Sequence, residues 1–184
     1  VQSDPAEIRP QTLLVTGRQH PPEVSGAASL EHFVAELFAD TATARRFRET
    51  HRVVVVPLLN PDGVERGHWR NGMGGTDLNR DWGRFSQPEI ALVGALIARI
   101  ETDPVGELAM VVDFHSTRRD VFYTQRDEDL MRNGFSYAAW MTRLDARLPG
   151  EPIARSPSHN PENPTAKTWL YQRYRIPAMT YETG

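Results

Sequence analysis

Four consecutive valines, Val53 to Val56, sit inside the run Arg52 to Leu59. An unbroken stretch of β-branched residues reads as a strand buried on both faces, and such a strand needs cover on both sides of its sheet. Thr12 to Thr16, ending at Gly17, and Leu108 to Phe114 have the same character. Val121 to Thr124 and Ala178 to Tyr181 are shorter candidates. Segments of helical spacing separate these runs. From Ser25 to Phe38 the apolar residues fall at Ala27, Leu30, Phe33, Val34, Leu37 and Phe38, with Ser25 as the expected N-cap. Gln87 to Ile100 repeats the pattern at Ile90, Leu92, Val93, Leu96, Ile97 and Ile100, and Pro88 is tolerated in the first turn. Asp127 to Leu148 contains further helical segments, and Thr168 to Tyr174 reads as a last helix. Strand alternating with helix predicts an α/β fold with a mixed, mostly parallel central sheet flanked by helices.

Two stretches have no period. Asn60 to Ser86 is rich in Gly, Asn, Asp and Arg, and a loop of that length in a compact domain is functional or disordered. Residues 149–164 hold five prolines, at 149, 152, 157, 161 and 164, and read as an extended loop. No internal repeat or low-complexity linker divides the 184 residues, so one domain over 1–184 is expected, with length enough for a real core.

Composition narrows the chemistry. A net charge of -3 offers no basic face for nucleic acid, and the longest apolar runs are too short to span a bilayer. The chain has no cysteine, which removes thiolate metal sites, a catalytic thiol and disulfides together. Any metal must be held by His and carboxylate. The compartment stays open between a soluble cytoplasmic and a secreted or periplasmic location, and so does the oligomeric state. The chain begins at Val1 with no signal-like segment, as a processed or trimmed protein would.

His20-Pro21-Pro22-Glu23 sets an imidazole and a carboxylate three residues apart on a proline-stiffened loop. Asp113-Phe114-His115-Ser116 brings a second imidazole out of a buried strand. Two histidines and a carboxylate suit one zinc ion and leave a fourth position open for water. Asp113 is placed to accept a hydrogen bond from an imidazole N–H. His20 and Glu23, Asn60 to Arg80, His115 and Glu182 all fall at or just beyond the C-terminal ends of predicted strands, the edge where open α/β sheets bind ligands.

In order, Gly17 to Glu23, Asn60-Pro61-Asp62-Gly63, Trp69-Arg70, Asp77-Leu78-Asn79-Arg80-Asp81-Trp82, Asp113 to Ser116 and Tyr181-Glu182-Thr183-Gly184 match elements of one family. The chain resembles the zinc carboxypeptidases, which include the digestive carboxypeptidases A and B, and its motif wording is nearer to their cytosolic and bacterial members. The resemblance runs from near the first residue to the last. It implies a metallocarboxypeptidase that hydrolyses a C-terminal peptide or isopeptide-like bond through water activated at zinc. His20, Glu23 and His115 would hold the metal, and Glu182 would act as general base and then proton donor. Arg70 would stabilise the oxyanion, and Asn79 and Arg80 would bind the substrate's free terminal carboxylate. Asn60 to Gly63 reads as a turn that shapes the loop.

The one lysine of the chain, Lys167, falls by ungapped count from Glu182 where family members place the residue that reads the terminal side chain. An ammonium there predicts preference for an acidic C-terminal residue. Two departures stand out. The family's mobile substrate-closing tyrosine has no counterpart in Ser156 to Glu162, and the chain is short at both ends, so a longer natural protein is expected. Two other functions share these residues. One is an N-acyl amino acid amidohydrolase resembling aspartoacylase and succinylglutamate desuccinylase, and the other an inactive peptidase-like binding module.

Overall fold

The computed structural model describes residues 10–103, 106–148, 150 and 152–184. Pro149, counted above in the proline-rich loop, lies outside them. The elements run β1 (Gln11–Gly17), α1 (Val24–Phe38), α2 (Ala42–Thr50), β2 (His51–Val56), α3 (Pro61–Glu65), a 3₁₀ turn (Leu78–Arg80) and α4 (Pro88–Thr102). They continue with β3 (Glu107–Ser116), β4 (Val121–Thr124), α5 (Tyr137–Asp145), β5 (Ala154–Pro157), α6 (Ala166–Tyr174) and β6 (Ala178–Thr183).

Six strands form one sheet in the order β2-β1-β3-β6-β4-β5. β1 pairs in parallel with β2 and β3, β3 with β6, and β4 with β5. Only the β4–β6 pair is antiparallel. The predicted mixed, mostly parallel α/β sheet is therefore the observed one. From β1 the chain crosses to β2 on one side and then returns to β3 on the other. The seam between the ends of β1 and β3 is thus a topological switch point, where such sheets open a crevice.

Alternation along the strands divides the sheet into two unlike faces. On one, Leu14, Val111 and Ala178 pack under Ile90, Val93 and Ile97 of α4 and Leu170 of α6. Toward the strand ends this same face turns polar, with Thr16, Asp113 and His115, Thr180 and Glu182 in paired register. On the other face Leu13, Val15, Val112, Phe114, Phe122 and Met179 pack with Leu30 of α1 and Tyr137 and Met141 of α5. That face borders an apolar cavity of about 880 Å³. Both clusters draw on strand residues of alternating parity, which is how each strand serves two cores.

The valine run is shorter and less buried than expected. β2 ends at Val56 and is half-buried along its length, because it is the edge strand and has a neighbour on one side only. Ser25 is not the N-cap of α1. The cap position lies two residues earlier, at Glu23, which makes no side-chain cap hydrogen bond. Phe38 and Leu92, both counted on apolar helix faces, are exposed. Among the described residues no helix is long and apolar enough to cross a membrane.

Candidate metal centre

β1 ends at Gly17, where a Cβ would stand 2.7 Å from Leu30 Cδ1. The chain then leaves the sheet through Arg18, in the left-handed region at φ 58°. Asn60 accepts from Gly63 N at 3.0 Å and donates to Gln19 O at 3.1 Å, so the expected turn also fastens the ligand loop. Pro21 and Pro22 turn the chain into α1 and leave Glu23 facing back over the end of the sheet. The carboxylate that could have capped α1 points instead at two imidazoles. The helix end is served from outside: Ser116 Oγ accepts from Gly26 N at 2.7 Å and from Ser25 Oγ at 2.9 Å. A Cβ on Gly26 would lie 2.3 Å from His115 O, so only glycine lets α1 approach β3 here.

His20 Nδ1 lies 2.7 Å from Glu23 Oε1, and His115 Nδ1 lies 2.7 Å from Glu23 Oε2. One ligand atom from each of these three residues falls within 4.8 Å of the others. The far nitrogens are held as well. His20 Nε2 is 3.0 Å from Asp77 Oδ1, and His115 Nε2 is 2.7 Å from Asp113 Oδ2. A carboxylate on each Nε2 favours the tautomer with its proton there and frees Nδ1 to bind a metal. The donor set fits zinc: two imidazole nitrogens and a carboxylate, converging at a strand-end crevice, with no thiolate.

Charge in this cluster is strongly perturbed. Burial alone would raise the pKa of Glu23, but hydrogen bonds from His115 and His20 bring it down to about 2. Burial works against protonating His115 and His20, yet both pKa values are raised. For His115 the counterweights are Asp113 and Glu23; for His20 they are Asp77 and Glu23. A pocket that draws positive charge to two imidazoles is suited to a divalent cation.

Behind the ligands lies a network that the sequence motifs contained without disclosing. Asp113 is buried and accepts from Thr16 Oγ1 at 2.7 Å and Gln19 Nε2 at 2.6 Å, besides facing His115. Gln19 in turn accepts from Trp82 Nε1 at 3.0 Å. The expected Asp113 acceptor is thus found, on His115. Asp77 opens one of the sequence motifs with no role evident from the motif itself. It accepts from Asn79 N at 2.9 Å and Arg70 Nε at 2.7 Å while facing His20. One carboxylate therefore orients a candidate ligand, shapes the 3₁₀ turn and anchors Arg70. The signal for it was an Asx-type turn residue ahead of Asn79.

Glu182 stands in register with His115 on the neighbouring strand and therefore on the same face. Its pKa is raised, chiefly by burial, with the charges of Glu23 and Asp113 adding and His115 opposing. Asn79 is buried and accepts from Ala166 N, at the start of α6, at 2.9 Å. Arg80 donates to Asn79 O at 2.8 Å and makes no ion pair with a carboxylate among the described residues. Lys167 is buried at the start of α6 with Nζ donating to His159 O at 3.0 Å. Burial brings its pKa down to about 8. It lines a cavity of about 480 Å³ together with Thr124, Arg126, Ser158 and Arg175. None of the three candidate ligands, nor Glu182, lines that cavity.

A family model described as zinc carboxypeptidase matches residues 3–183. Cytosolic carboxypeptidase 2 of Danio rerio is 35% identical over 117 residues, covering 61% of this chain and 16% of that protein. Cytosolic carboxypeptidase 6 of Mus musculus is 31% identical over 130 residues, 69% of this chain and 22% of that one. Among solved structures, a metallo-carboxypeptidase from Burkholderia cenocepacia superposes with a TM-score of 0.75 at 19% identity, over 98% of this chain and 50% of that one. The carboxypeptidase A of Helicoverpa armigera gives 0.69 at 17% identity, over 96% and 53%. The chain spans about half the length of these solved structures and less than a quarter of these curated relatives.

Proposed function

This chain belongs to the zinc carboxypeptidase family, and on that basis we propose that it is a zinc-dependent metallocarboxypeptidase acting on peptides with a free C-terminal carboxylate. The observation that carries the reading is the convergence of His20, Glu23 and His115 on one point, with Glu182 in register beside them. One zinc ion held by these three residues would supply Lewis acidity to a water and to the scissile carbonyl.

The remaining tasks fall to the chain itself. Glu182 takes the proton of the attacking water and delivers it to the leaving amine, a role for which a raised carboxylate pKa is suited. Arg70, held beside the centre by Asp77, offers a fixed cation to the developing oxyanion. Arg80 grips the terminal carboxylate: one arm of its guanidinium donates to Asn79 O, and no ion pair among the described residues ties it to an acidic side chain. Asn79 adds an amide to the same grip. Restricting that grip to a chain end makes the enzyme an exopeptidase, on peptide or isopeptide-like bonds alike.

Lys167 reads the last side chain and favours Glu or Asp. Its burial supports this, since a solvated lysine at a helix start would be exposed. A desolvated charge pair discriminates by roughly 2–5 kcal/mol, where a rim pair gives much less. Peptides ending in Glu, Phe and Arg are therefore expected to be cleaved in that order of preference, with at least about tenfold between Glu and Arg. Lys167→Asp is expected to abolish the preference for Glu. Equal rates on the three peptides, or an unchanged preference in the variant, would remove Lys167 from substrate reading. Hydrolysis of N-acyl aspartate with no cleavage of any peptide would replace the carboxypeptidase reading by the amidohydrolase one.

A further inference from the structure

His159 lies in the loop between β5 and α6, between Ser158 and Asn160, which have φ of 57° and 49°. Its ring stacks on Tyr123, centroids 4.0 Å apart and planes within 16°. Tyr123 pairs with Thr180 on β6, two residues before Glu182, so tyrosine and candidate base share one face of the sheet. On the other side the His159 carbonyl takes the hydrogen bond from Lys167 Nζ. His159 thus touches the face that carries the proposed catalytic base through its ring, by way of Tyr123, and the proposed side-chain reader through its carbonyl. Asn160 Nδ2 stands 2.9 Å from His159 Nε2, a donor that fits an uncharged ring.

The groups around the ring are unbalanced. His159 is exposed at the surface, yet the partial desolvation of its ring lowers its pKa, the positive charges of Lys167 and Arg80 lower it further, and Glu162 opposes them. Tyr123, the stacking partner, has its own pKa raised by burial and by Glu182. The imidazole is therefore an unused basic site in a field made positive by two cations.

We propose that His159 takes up a proton from solvent when a chain end bearing two carboxylates binds between Arg80 and Lys167, and so becomes a third cation on the acidic substrate. This rests on the carboxylate-binding roles given to Arg80 and Lys167 above. The terminal carboxylate offsets Arg80 and the side-chain carboxylate offsets Lys167. Both repulsions that kept the imidazole neutral are then removed, and an anion stands before it. A ligand with an uncharged last side chain offsets only one of them.

The sign follows. Binding raises the pKa of His159, so affinity for the acidic end is greatest below the free-state value. It falls as pH rises toward the bound-state value and levels off beyond it. Each unit between the two values is about tenfold in affinity. Lys167 makes a separate loss as pH passes above about 8.

The test uses zinc-saturated protein and two non-hydrolysable peptide analogues that differ only in ending with glutamate or glutamine. Calorimetry in buffers of different ionisation enthalpy reads proton uptake between about pH 5.5 and 7.5, the range in which imidazoles titrate. Wild type is expected to take up a large fraction of a proton with the glutamate probe and much less with the glutamine probe. Its affinity for the former is expected to fall several-fold across the window. His159→Gln is expected to lose the extra uptake and the slope, while the loss above about pH 8 persists. The glutamine probe shares Glu182 and the other groups of the site, but Lys167 meets only the glutamate side chain. With a pKa of about 8, Lys167 adds uptake toward the upper end of the window. His159 is therefore isolated by the loss in His159→Gln at the lower end, where Lys167 is already charged. Equal uptake with both probes, or uptake unchanged in His159→Gln, would overturn the assignment and leave the carboxypeptidase reading standing. Failure to bind either probe would overturn both.

Discussion

Glu182→Gln is expected to leave zinc on the protein and to lower turnover by about 10²- to 10⁴-fold. Glutamine keeps the shape of the side chain opposite His115 and removes the proton acceptor. The three candidate ligands and Arg80 are untouched, so peptide affinity should change little, and the loss should appear in kcat rather than in KM. Restraint on the fold is also small. Glu182 lies in β6, whose backbone pairing with β3 and β4 does not involve the carboxylate. The amide should even relieve the repulsion that Glu23 and Asp113 impose on that carboxylate. Metal analysis beside a progress curve checks the outcome, and near wild-type turnover would take Glu182 out of the mechanism.

His115→Ala is expected to empty the zinc site and abolish activity. The substitution deletes one ligand of three and also removes the imidazole that Asp113 orients. Asp113 would keep its contacts with Thr16 and Gln19 but lose the imidazole N–H that it accepts from. Leaving a buried acceptor unsatisfied commonly costs about 1–3 kcal/mol, and more for a charged group, so the variant is made as His115→Gln where the alanine form does not fold. Glutamine can still donate to Asp113 while offering zinc a far poorer ligand. Full zinc occupancy in a folded His115 variant, by elemental analysis, would contradict the ligand assignment.

Much of this centre could be read from the residues, and the reasons are local. Strands β1, β3 and β6 are apolar runs that end at chemistry-bearing residues, so their existence and the convergence of Glu23, His115 and Glu182 followed together. Helix α2 went unread because Ala42–Thr50 is dominated by Arg, Glu and Thr, and Ala44 is its one buried residue. Such a helix is held by its Thr41 cap and its neighbours rather than by an apolar stripe. β5 was hidden by prolines, which an edge strand of four residues tolerates. The four valines of β2 look the same in a central strand as in an edge strand, since pairing on one side leaves no mark on composition.

The same limit applies to side-chain partners. Asp113 could be proposed for an imidazole because it lies two positions before His115 and so on the same face of the strand. Asp77 reaches His20 across fifty-seven positions, and nothing nearby in the chain points to that contact. Ser116 looks like a bystander beside His115 and proves to serve the helix end that Glu23 leaves uncapped. Lys167 stands out in the sequence by position and rarity, but its burial is a property of α6 packing that only the fold displays.

The central claim is a zinc site that removes residues from a free chain end. It is tested most directly by titrating zinc into metal-free protein while following two peptides that end in glutamate, one with a free C-terminal carboxylate and one amidated. Release of glutamate from the free peptide should rise with zinc and saturate at one ion per chain, with the amidated peptide left intact. Turnover indifferent to zinc, or equal cleavage of both peptides, would contradict it.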